Sequence, residues 1–80
     1  MNNSEIINKL TPIFREVLEL NDLELTDDLS ASDVDNWTSL THMLIMTKIE
    51  EVFDVTFKLK ELKKLQNVGD MISVLEEKTN

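Results

Sequence analysis

Three stretches of this chain repeat apolar residues at alternating spacings of three and four, the period of one helix face. Ile6, Ile7, Leu10, Ile13, Phe14, Val17 and Leu18 make the first stripe. Leu40, Met43, Leu44, Met46, Ile49, Val52 and Phe53 make the second, and Met71, Ile72 and Leu75 the third. Leu59, Leu62 and Leu65 mark a shorter helical piece of two turns at most. One Gly and one Pro in 80 residues leave too few turn formers for a turn-rich all-β fold. Stripes of this kind are buried by facing one another. The expected fold is therefore all-α: a small antiparallel bundle of three longer helices plus one short helix, with a long loop between the first and second helices. A chain of this length makes one domain, residues 1–80, with a radius of gyration of roughly 12 Å.

Local signals set the expected boundaries. The first helix spans Ser4 to Leu20 and is kinked at Pro12, where the missing N–H breaks the hydrogen-bond ladder; Thr11 and Pro12 also read as an N-cap and first helical position. Residues 21–38 are rich in Asp, Asn, Ser and Thr, which favour turns and caps. Leu23, Leu25, Leu29, Val34 and Trp37 are spaced through this loop and predict that it is pinned to the bundle. The second helix runs from Ser39 to Phe53, with Thr38 or Ser39 as its cap. Val55 and Phe57 belong to an extended connector. Asn67 caps a last helix from Val68 to about Lys78.

Charge narrows the classes of function. Sixteen acids against eight bases give −8. That balance disfavours nucleic acid and anionic membrane as partners. Residues 16–54 hold eleven acids and one base, Lys48. They form either a solvated surface or a docking face for basic proteins. No run of 18 apolar residues occurs, so no membrane insertion is expected. The stretch MNNSEIINKL lacks the basic start and apolar run of an export signal, which makes the cytoplasm the expected compartment. Cysteine is absent and His42 is the only histidine, which leaves no thiolate or multi-histidine metal site. The acids at 27–35 lack the central Gly of a calcium loop. Ser39 stands one turn before His42, but no glycine-rich elbow or oxyanion-hole loop accompanies the pair, so no catalytic residue is expected. What remains is a hydroxyl where an acidic loop meets an amphipathic helix. Free N–H groups and the positive end of the helix dipole favour a phosphate there. A simple capping role for Ser39 fits the same position.

The run DNWTSLTHMLIMTKIEEVFDVTF resembles the signature of the acyl carrier proteins, in which an Asp-Ser-Leu triplet opens the second helix. Ser39-Leu40 match its last two positions, and Ile49-Glu50-Glu51-Val52-Phe53-Asp54 is similar to the family's acidic helix end. Phe57, the Asn67-Val68-Gly69-Asp70 run and the spacing of Ile6, Leu10, Ile13, Phe14 and Leu18 extend the likeness over nearly the whole chain. The resemblance implies a non-catalytic carrier that holds acyl groups as thioesters on a 4′-phosphopantetheine arm, taken from coenzyme A and attached to Ser39. It implies Glu50, Glu51, Asp54 and Leu40 as partner contacts. It makes Met43, Met46, Leu62, Met71 and Ile72 candidates for lining an acyl pocket. Its partners are a phosphopantetheinyl transferase and acyl-transferring and condensing enzymes with basic docking patches; a monomer is expected. Two departures bear on which partners these are. Thr38 stands in place of the family's Asp, and Lys58, Lys60, Lys63 and Lys64 surround a short helix that the family often makes acidic. Two other readings stand beside this one: a thiolation or peptidyl carrier domain for aminoacyl or polyketide groups, and an unmodified acidic helical adaptor.

Overall fold

A computed structural model describes residues 1–79. Four α-helices appear in the order α1 (Asn3–Leu18), α2 (Ser39–Phe53), α3 (Leu59–Leu62) and α4 (Val68–Lys78), with a short 3-10 turn at Ala31–Asp33. α1 packs against both α2 and α4. The radius of gyration is 11.5 Å, as the length predicts.

α1 begins at a reciprocal cap. The Glu5 N–H donates to Asn2 Oδ1 at 2.9 Å, and the Asn2 N–H donates back to Glu5 Oε1 at 3.4 Å. The helix runs through Pro12 without interruption. Pro12 is exposed, so the carbonyl it leaves unpaired faces water. The helix ends two residues earlier than its apolar spacing suggests. Glu19 turns into the left-handed region (φ 56°), and the N–H groups of Glu19 and Leu20 both donate to the Arg15 carbonyl. Ile6, Leu10, Ile13, Phe14 and Leu18 are buried, while Ile7 and Val17 are partly so.

α2 has the expected bounds but a narrower buried face. Ile45, Met46, Ile49 and Phe53 are inside, whereas Leu40, Met43, Leu44 and Val52 are exposed. At about 100° per residue the apolar positions of this helix spread over more than half its circumference, and only one side meets α1. Asp54 closes the helix in the left-handed region (φ 55°).

The long loop is ordered against the bundle, as its apolar residues foretell. Val34 and Trp37 are buried, and Leu23, Leu25 and Leu29 pack against the core. Its 3-10 turn has no periodic sequence signal, being only three residues long. The middle of the loop is fixed to α4. Val68 and Gly69 donate their N–H groups to the carbonyls of Leu29 (3.0 Å) and Asp27 (2.8 Å). Asn67 Oδ1 caps the same helix by accepting from Asp70 N–H at 2.8 Å. Only glycine fits at position 69: a Cβ there would stand 2.9 Å from the Asp27 carbonyl oxygen.

α3 is a single turn, held from α4 by the Lys78–Glu61 ion pair at 2.9 Å. Glu61 also accepts from the Lys58 N–H. That hydrogen bond first, and Lys78 second, hold the Glu61 carboxyl below the usual carboxylate range. Phe57 is buried beneath Lys78, and Val55 is half-buried, so the connector inserts as expected.

Candidate functional site

Ser39 is presented by three supports. Trp37, 4% exposed, packs edge-to-face on Phe14, with centroids 5.2 Å apart, which fixes the end of the loop to α1. Asn36 Nδ2 donates to the Leu18 carbonyl at 3.0 Å and ties the loop to the end of the same helix. Thr38 then caps α2: the Thr41 N–H donates to Thr38 Oγ1 at 3.3 Å, and the Thr38 N–H donates to Thr41 Oγ1 at 2.8 Å. The cap is thus Thr38, one of the two candidates. Ser39 becomes the first helical residue, exposed, and its hydroxyl has no hydrogen-bond partner among the described residues.

His42 does not activate this hydroxyl. Its Nδ1 accepts from Trp37 Nε1–H at 3.0 Å, and the two rings lie nearly parallel, 15° apart. Burial holds the imidazole below the ordinary histidine value of 6.5. Trp37 and His42 are five residues apart, so no helical period pairs them in the sequence. Their meeting depends on the turn between loop and helix.

The other candidate residues separate into three groups. Leu40, 73% exposed, lies with exposed Met43 and Leu44 on the outer side of α2, and Glu51 and Asp54 continue that side toward its end. Glu50 is placed differently: it is half-buried, and its Oε2 accepts from the Phe57 N–H at 2.9 Å, so it braces the connector after α2. Met46, Met71 and Ile72 share the core, with Leu62 packed at its edge. Met43 stands apart from these four, 56% exposed beside Ser39. Lys58, Lys60, Lys63 and Lys64 are all exposed. Among the described residues no cluster of three or more acids or histidines forms a metal site, and no helix is long and apolar enough to cross a membrane.

The family model described as "Phosphopantetheine attachment site" matches residues 8–75. The chain belongs to the acyl carrier protein family. An acyl carrier protein of Renibacterium salmoninarum is 39% identical over 72 residues, covering 90% of this chain and 80% of the relative. One from Petrotoga mobilis is 30% identical over 80 residues, covering 100% and 94%. The solution structure of the holo acyl carrier protein from Geobacter metallireducens superposes with a TM-score of 0.84. It is 42% identical, with 90% of this chain and 83% of that one covered. The carrier is therefore non-catalytic, and its covalent cofactor is 4′-phosphopantetheine.

The start of α2 suits a phosphodiester. The N–H groups of Ser39 and Leu40 have no acceptor among the described residues, and the first turn of the helix holds no acid to compete for them.

Proposed function

We propose that Ser39 carries the arm, and that the protein uses it to hold acyl intermediates as thioesters and pass them between separate biosynthetic enzymes. The observation that supports this most is the division of labour at the start of α2. Thr38 does the capping, which leaves the Ser39 hydroxyl exposed and unengaged. Ser39 Oγ is then free to attack the phosphorus of coenzyme A within a transferase. The Oγ–P bond forms, the adenosine bisphosphate part leaves, and the serine proton passes to a base of the transferase. The free N–H groups of Ser39 and Leu40 stabilise the resulting negative charge. The arm supplies the thiol that a chain without cysteine lacks.

The same reading gives the outer side of α2 to partner enzymes in the cytoplasm. Leu40, Met43 and Leu44 form an apolar centre, and Glu51 and Asp54 an acidic margin. They match a partner surface with an apolar hollow and basic residues beside it, met by a monomeric carrier. Glu50 contributes by holding its own loop rather than by direct contact. Met46, Met71 and Ile72 form the wall against which an apolar cargo lies, with Leu62 at the entrance. The absence of an acid at Thr38 and the exposed lysines at 58, 60, 63 and 64 favour a dedicated pathway over bulk fatty-acid synthesis.

Intact-mass analysis with coenzyme A and a broad-specificity transferase tests the reading. The native chain should gain one phosphopantetheine, and Ser39→Ala none. A gain that persists in Ser39→Ala would move the attachment site elsewhere. No gain by the native chain would leave the unmodified adaptor as the better account.

A further inference from the structure

An open cleft of about 580 Å³ lies directly beside Ser39. Ala31 of the 3-10 turn, Trp37 and Thr38 of the loop, and His42 and Met43 of α2 complete its lining with Ser39 itself. Its volume falls in the range of small-molecule sites. No residue in it carries a formal charge when His42 is neutral. The lining is amphipathic: an indole, a thioether and a methyl group on one hand, two hydroxyls and an imidazole on the other.

The imidazole is preset. Trp Nε1–H is a donor only, so His42 Nδ1 must be the bare, accepting nitrogen. A neutral ring then carries its proton on Nε2, and no acceptor for it occurs among the described residues. The hydrogen bond from Trp37, with the two rings 15° from parallel, fixes the ring plane. The cleft therefore offers one oriented, uncharged donor next to apolar walls. That combination suits a neutral chain of amides and methyl groups.

We infer that this cleft seats the pantetheine portion of the arm, with its geminal methyl groups against Trp37 and Met43 and an amide oxygen accepting from His42 Nε2–H. The inference rests on Ser39 being the attachment point. Tethering there supplies the local ligand at an effective concentration on the order of millimolar, so even weak contacts populate the seated state. The seat lies at the start of α2, where the end of the long loop meets the helix. His42 is a positioning residue in this arrangement and takes no part in bond making.

The chain has one tryptophan, so a single indole N–H signal reports on the seat. The experiment compares the full-length apo and holo proteins by NMR, with the arm's presence verified by mass. Arm attachment should shift the Trp37 indole cross-peak. Nuclear Overhauser contacts should join the arm's geminal methyl groups to the Trp37 ring and the Met43 methyl. His42→Phe keeps a planar ring but removes both the acceptor and the donor, and should reduce those contacts at least two-fold. Met43→Ala, at an exposed position safe for folding, should do the same by removing a wall. An indole signal that superposes in apo and holo protein, with no arm contacts, would overturn the seat. Full-strength contacts in both variants would overturn the roles of His42 and Met43. A chain that gains no mass would instead remove the attachment reading on which the seat depends.

Discussion

α2 and α4 start alike in sequence and differently in space. Each opens on a side-chain cap, Thr38 or Asn67, whose oxygen accepts from the N–H three residues on. In α4 the two preceding N–H groups, of Val68 and Gly69, are taken by the carbonyls of Leu29 and Asp27 respectively. In α2 the equivalent groups of Ser39 and Leu40 are left open. The long loop closes one helix start by lying against it and leaves the other open. The helix dipole is common to both ends. What sets them apart is which groups the loop has already consumed.

Amide hydrogen exchange gives the largest contrast. Val68 and Gly69 should be protected up to the stability of the bundle itself, while Ser39 and Leu40 exchange near the unprotected rate. Equal protection at the two ends would erase the distinction. Next in size is Gly69→Ala, which drives a methyl group into the Asp27 carbonyl. It should cost about 1–3 kcal/mol in chemical denaturation despite alanine's better helix propensity. A stabilised variant would mean that the loop yields freely.

Removing each cap should cost about 1 kcal/mol at Thr38 and more at Asn67, whose loss also loosens the loop anchored beside it. Thr38→Asp should stabilise the apo protein by about 0.3–1 kcal/mol and quicken arm attachment. Asn67→Asp should gain less, because carbonyl oxygens already face that helix start. Attachment rates that match for Thr38→Asp and the native chain would show that the missing charge is irrelevant to the transferase.

The smallest effect is a pH slope. Folding favours neutral His42, so its contribution is complete above 6.5 and declines as pH falls toward the lowered folded value, since the unfolded chain takes up the proton first. Denaturation midpoints of apo protein at pH about 7.5 and about 5.5, with and without His42→Gln, should show the slope shrinking in the variant.

The comparison also marks what was legible in the sequence. Apolar period and capping residues gave α2 and α4 their bounds, because both depend on neighbours within one or two turns. The family pattern was legible for the same reason. The identity of the α2 cap was not, since Thr38 and Ser39 are equally good cap formers and only the three-dimensional bond decides. The split of the α2 apolar residues between core and surface was hidden too. Leu40, Met43, Leu44 and Val52 look like core by type, and nothing local says that the partner helix covers just one side. The Trp37–His42 pair and the Glu50 brace depend on where a turn and a connector bring distant groups.

That split has a colloidal consequence. A row of exposed Leu40, Met43 and Leu44 is the kind of surface on which identical molecules stick to one another. A net charge of −8 keeps copies apart at neutral pH, so the acid excess protects the apolar row from its own kind. Approaching the isoelectric point near 4.4, or raising the salt, should therefore bring on self-association through that row.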